Sequence, residues 1–176
     1  MSNNETIEQS SLIKARQVSL AVRAEKRRLF LEDLYNQNRW LVDYLDEEAA
    51  AKIALTMLYL GEGTKNPKRG GLVFANSDPY IIKLFLKLLR QCYDINPLQL
   101  HCTVQCRIDQ DEARLAQFWS GITDIPLKQF YKAQKDPRTA GKPLKNLDYK
   151  GVCRIDYLSA IVFQDLLQTI AVLTGR

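Results

Sequence analysis

The chain has 176 residues, 46% hydrophobic and 26% charged, with 25 Lys and Arg against 20 Asp and Glu for a net charge of +5. That composition predicts one globular domain with room for a terminal appendage. No run approaches the roughly 18 apolar residues of a membrane span, and Met1–Ser11 is too polar for a signal peptide. The expectation is therefore a cytoplasmic chain with no membrane partner, its four cysteines (Cys92, Cys102, Cys106 and Cys153) kept as reduced thiols. A single histidine, His101, excludes any two-His metal site, HExxH zincin or His–Cys nuclease built within one chain. Chemistry, where there is any, rests on carboxylates, lysines, hydroxyls or a carboxylate-held hard metal.

From Ser11 to Gln37 there is no Gly or Pro and helix formers dominate, which predicts one long helix after a frayed start. Lys14, Arg16, Arg23, Lys26, Arg27 and Arg28 make its first two-thirds cationic, fit either to contact phosphate or to pack as a dimer arm. A break is expected at Asn36–Arg39, and 1–46 reads as a helical extension to a domain at 47–176. Asp46 is a suitable N-cap for a second helix, Glu47–Leu60, whose first acids favour its N-terminal end. This helix grows steadily more apolar and stops at Gly61-Glu62-Gly63, where one glycine would suffice.

Lys65–Gly70 reads as a loop and Gly71–Ser77 as a short strand. Asp78-Pro79 supplies an N-cap with proline at N1, and Ile81, Leu84, Phe85, Leu88, Leu89 and Cys92 follow at helical spacing. Leu98–Ile108 alternates without a break, which predicts a strand with Leu98, Leu100, Cys102, Val104, Cys106 and Ile108 toward a core. Gln99, His101, Thr103, Gln105 and Arg107 then face the other way. Asp109–Thr123 is a predicted helix carrying Leu115, Phe118, Trp119 and Ile122.

The positive charge is concentrated beyond this helix. Lys128, Lys132, Lys135, Arg138, Lys142, Lys145, Lys150 and Arg154 meet only Asp136 and Asp148, so 126–154 carries a net +6 and the rest of the chain −1. Pro126, Pro137, Gly141 and Pro143 argue for an extended loop over most of this stretch. Gly151–Tyr157 alternates again, with Arg154 and Asp156 opposite Cys153, Ile155 and Tyr157, and Ser159–Leu173 is a final amphipathic helix.

This order predicts an α+β fold: a small antiparallel or mixed sheet with helices on one face, preceded by a long N-terminal helix. The uncovered face would carry Gln99, His101, Thr103, Gln105, Arg107, Arg154 and Asn76. Gln, Thr and Arg suit base edges, and a β-ribbon fits the major groove. Beside a +6 segment, the face reads as a polyanion-binding surface, with the solvated side of a half-buried sheet as the alternative. Lys65, Lys68 and Arg69 extend the cationic set. Asp148-Tyr149-Lys150 has the Asp-x-Lys spacing of another nuclease class but lacks an earlier strand-borne acid. His101 lies on the opposite strand face from Cys102 and Cys106, which argues against zinc.

The acid at the helix end is the first catalytic candidate, because two copies of such a helix would bring paired carboxylates together, and these hold Mg²⁺ through oxygen. An exposed Glu at an ordinary helix stop is the other reading. Leu55-Thr56-Met57-Leu58-Tyr59-Leu60-Gly61-Glu62-Gly63 resembles the motif of the LAGLIDADG homing endonucleases, and Phe74-Ala75-Asn76-Ser77-Asp78 resembles the strand-to-helix junction that follows it. The resemblance covers residues 47–173. It implies a saddle-shaped sheet on double-stranded DNA and a homodimer joined through the motif helix, here Thr56, Met57, Tyr59 and Leu60. It also implies divalent metal at Glu62 with Gly61 beside it, and phosphodiester hydrolysis. Relatives that have lost cleavage act as transcriptional regulators or RNA-binding maturases, so both alternatives stay open.

Overall fold

The computed structural model describes residues 3–66, 70–143, 146 and 148–176, and of 3–11 the backbone alone. Two compact units divide at Tyr44 and Leu45. In the first, α1 (Asn3–Asn38) runs unbroken and a turn at Arg39–Trp40 leads into α2 (Leu41–Tyr44). Arg28 bridges Glu25 at 2.7 Å and Glu32 at 2.9 Å, the spacings at which helical side chains meet. Trp40 and Tyr44 pack edge to face.

The second unit has the order α3 (Glu48–Glu62), β1 (Leu72–Asn76), α4 (Pro79–Cys92), β2 (Leu100–Arg107), α5 (Glu112–Thr123), β3 (Gln134–Asp136), β4 (Val152–Tyr157) and α6 (Ala160–Thr174). The sheet order is β1-β4-β2-β3, antiparallel except for the β2–β3 pair. One face carries Leu72, Phe74, Leu100, Cys102, Val104, Cys106, Cys153, Ile155 and Tyr157 into a core with Leu55, Tyr59, Phe85, Trp119 and Phe163 from the helices. This is the expected α+β arrangement with helices on one side. Among the described residues no helix is long and apolar enough to cross a membrane.

Local chemistry sets most boundaries. Asp78 accepts from Tyr80 N ahead of Pro79, Asp111 accepts from Ala113 N and Arg114 N, and Ser159 accepts from Val162 N. Asp46 is not a cap: α3 starts one residue later than expected, behind Glu47, and the Asp46 carboxylate reaches Lys87 at 3.2 Å instead. The buried face of α4 is also wider than the predicted stripe. Ile82 and Leu86 are buried and Leu84 is 38% exposed, because α4 packs between α3 and α5 as well as on β1. Lys52, Tyr93 and Asp165 tie α3, the end of α4 and α6 together, with Tyr93 Oη donating to Asp165 at 2.7 Å. Hydrogen bonds from Lys52 and then Tyr93 hold the Asp165 carboxyl below its usual range.

Candidate functional site

The face of the sheet turned away from the helices is set by register. His101 pairs with Asp156, Thr103 with Arg154, and Gln105 with both Val152 and Gln134. These side chains therefore form neighbouring rows on one side of the sheet, as the alternation of β2 and β4 predicts. Thr103, expected to meet DNA, is only 4% exposed, because its neighbours in the rows close over its short side chain. The His101 ring stacks on Tyr131, centroids 4.9 Å apart, and the Tyr131 amide donates to Cys102 O at 2.8 Å. Arg154 Nη2 donates to Asp156 Oδ1 at 2.5 Å. The Asp156 side chain is only 9% exposed, and its Oδ2 and Arg154 Nε have no hydrogen-bond partner among the described residues. A half-shielded ion pair thus sits at the centre of the polar face with hydrogen-bonding capacity unused.

Two residues expected on this face are elsewhere. Gln99 lies in a 3-10 turn (Pro97–Gln99) before the strand begins, and its carbonyl accepts from Leu158 N. Leu98 shares that turn and is exposed, and Ile108 lies beyond the strand's other end, so the core-facing row is Leu100 to Cys106. Asn76 falls in the register row of Cys153, on the helix-covered side, and its Oδ1 accepts from Asp78 N to shape the turn into α4.

Arg107 is on the polar face but is not available to a ligand. Its guanidinium, 11% exposed, donates to both carboxylate oxygens of Asp109 at 3.0 and 3.1 Å, to Thr139 O at 3.3 Å and to Lys142 O. It staples the basic segment to the end of β2. The hydrogen bond from Arg107 in turn holds the Asp109 carboxyl below the ordinary range.

The basic segment is more structured than a loop. It contains a 3-10 turn (Leu127–Gln129), β3 along the edge of β2, and a second turn (Pro137–Thr139). Its cations divide by role. Lys128, Lys132 and Lys142 extend into solvent. Arg138 is exposed but paired with Asp136 at 2.9 Å. Lys135 shares the helix-side row of Cys106 and pairs with Glu112 at 3.1 Å. Lys150 is half-buried with its ammonium 6.0 Å over the Phe118 ring, and its carbonyl accepts the indole N–H of Trp119. Lys65 donates to Leu60 O at 2.6 Å, closing the end of α3. Lys68, Arg69 and Lys145 lie outside the described residues. Between β3, the second turn and the open face is a cavity of about 570 Å³, bordered by Gln105, Gln134, Arg138, Tyr149 and Val152.

At the end of α3 the two glycines meet different surroundings. Gly63 pairs with Phe74 in an isolated bridge, and a Cβ there would lie 2.3 Å from the Tyr59 ring and 2.6 Å from Tyr59 O. Gly61 is helical and exposed with nothing within 4 Å of its Cβ position. Glu62, between them, is exposed. Thr56 and Tyr59, expected at a dimer interface, are fully buried in the core, so they face inward and cannot meet another chain. The outward side of α3 carries Ile53, Met57 and Gly61, with Met57 41% and Ile53 49% exposed. Leu60 is half-buried at its margin.

Among the residues that sequence reasoning missed are Tyr131, Gln134 and Asp109. The first two sit in a strand and approach too short to show periodicity, and the third is a local partner of Arg107. The cysteines carry no site: Cys102 and Cys153 are each other's partner at 3.2 Å in the core, and that contact together with burial pushes the Cys153 thiol far up.

Sheet, helix layer and flanking segment define an α+β protein that presents one polar, half-open sheet face bordered by cations. Comparison with family models, with curated proteins and with solved structures finds no match to this chain.

Proposed function

We propose that this chain is a LAGLIDADG-like protein that binds double-stranded DNA as a homodimer, with the open sheet face toward the major groove. The carrying observation is the juxtaposition of His101, Gln105 and Arg154, in register rows around the buried Thr103, with a segment whose Lys128, Lys132 and Lys142 reach solvent. Side chains on such a face can address base edges, while the lysines and Arg138 contact phosphates, which position a duplex without reading it. Lys135, Lys150 and Arg107 have structural partners and contribute less.

Hydrolysis of phosphodiester bonds is the enzymatic extension of this reading, and it rests on Glu62. Among the described residues of one chain no group of three or more His, Cys, Asp or Glu gathers to hold a metal. The oxygens at hand are the Glu62 carboxylate and the Gly61 carbonyl, half of a hard-cation ligand set. A second copy crossing at Gly61 would bring the other half. A divalent ion such as Mg²⁺ held there supplies the clamp on attacking and leaving oxygens. Glu62 would hold it, and the bare Gly61 would let the two backbones approach.

A catalytically inactive DNA-binding regulator of the same fold is the second reading, and Met57 favours it. Its side chain stands one turn before Gly61 on the outward side of α3, and its bulk holds two crossing helices, and so their acids, apart. An RNA-binding maturase is the third outcome of the same experiment. The purified chain is titrated with duplex DNA and with a structured RNA across a salt series, then incubated with a plasmid library and Mg²⁺ beside Glu62→Gln. Duplex binding with cleavage that Glu62→Gln abolishes is expected of the endonuclease. Binding without cuts assigns the regulator, and preference for RNA the maturase. Affinity for neither nucleic acid overturns the proposal.

A further inference from the structure

Building on the DNA-binding reading, we propose that Gln105 reads the major-groove edge of a single adenine and that Gln134 is the positioning residue that aims it. The two glutamines are register partners on parallel strands, so both project from the open face beside the cavity. Gln105 Nε2 donates to Gln134 Oε1 at 3.1 Å. That bond uses one of the two amide hydrogens of Gln105. The other hydrogen and Oε1 have no partner among the described residues.

The remaining edge of Gln105 is one donor beside one acceptor. In the major groove adenine presents the complement, an N6 hydrogen and the N7 acceptor, whereas guanine presents two acceptors and the pyrimidines present one group each. An unheld glutamine turns about its last torsion and offers its two ends in either order. The Gln134 acceptor fixes the nitrogen toward β3, so the order is set before a base arrives. Nearby charges do not compete for the amide, since Lys135 pairs with Glu112, Asp136 with Arg138, and Arg107 with Asp109. Val152, the register partner of Gln105 on β4, closes the far side with an apolar surface.

The test is a binding-site selection from a random duplex pool with the full chain at low salt, followed by titration of the selected site. An enriched A·T pair is expected. Replacing its adenine by 7-deazaadenine, which deletes N7 and keeps Watson–Crick pairing, should weaken the wild-type chain about tenfold. Q105A should be insensitive to that replacement and retain most of its affinity for unselected DNA. Q134A should lose the discrimination with an unchanged thermal midpoint, while Q134E, which keeps the acceptor, should retain it at lower total affinity. An adenine preference that survives Q105A, or binding with no sequence preference, overturns the inference and leaves the DNA-binding reading standing. No affinity for any duplex overturns both.

Discussion

Gly61 and Gly63 are two residues apart, and alanine at each should act with opposite sign. A Cβ on Gly63 falls inside contact distance of the Tyr59 ring and of its carbonyl. Tyr59 cannot swing aside, because it is fully buried and its Oη donates to Thr64 O at 2.7 Å. Gly63→Ala should therefore destabilise the chain by about 1–3 kcal/mol, the usual cost of overpacking, seen as a lower denaturant midpoint at unchanged slope. Gly61→Ala meets empty space in a helix, and should stabilise the single chain by up to about 1 kcal/mol through helix propensity. A residue that costs its own helix stability and fills no space in one chain is the kind a close partner backbone would require. The sequence shows both glycines alike. What separates them is the path of the chain after α3, which folds Gly63 under Tyr59 and against Phe74.

The elements legible in the sequence are those whose signals are local. Asp78-Pro79 caps its helix where expected, the last helix begins within a residue of its predicted start, and the alternation of β2 and β4 places the core row. β3 is not legible, since Gln-Lys-Asp has no apolar period and forms a strand only because the edge of β2 offers backbone partners. The role of Arg107 is hidden for a related reason: two of its acceptors, Thr139 O and Lys142 O, are distant in sequence and are brought up by that edge pairing. Charge counting therefore credits to a ligand surface an arginine that the fold uses as a fastener. Arg107→Ala removes the charge-assisted bonds that fasten the basic segment to the end of β2, so the loss falls on local opening of that segment and not on global unfolding. The expected result is fast tryptic cleavage after Arg138 with little change in the global melting midpoint. Unaltered cleavage would show that the segment holds its shape without the staple. Because Arg107 lowers the Asp109 pKa, this contribution is present above the unfolded carboxylate pKa and is lost only as pH falls through the lower folded value. At neutral pH the staple is intact.

The proposed duplex binding asks more of this small sheet than one copy provides. The exposed row of β2 and β4 is short, and a single copy offers one polar face and one cationic border. Two copies would double both, and a pseudo-palindromic site would match their two-fold axis. The outward side of α3, with Ile53, Met57 and Gly61, is the surface on which such a pair would form, in place of the buried Thr56 and Tyr59. Its extent limits its strength. A helix of 15 residues is about 22 Å long, and one helix face covers less than the roughly 800 Å² per partner of a stable interface. The free chain should then be largely monomeric at low micromolar concentration and dimerise on DNA, where a shared duplex raises the effective concentration of one copy beside the other. Sedimentation velocity of the chain alone and with a duplex carrying two selected half-sites reads this directly. Met57→Lys, exposed in the single chain and placed against its own counterpart in the pair, should leave folding and half-site binding intact while abolishing the two-copy complex. A one-to-one complex on the paired site with the wild-type chain would remove the argument for converging Glu62 carboxylates, and the proposed duplex contact would then rest on the open face of one copy.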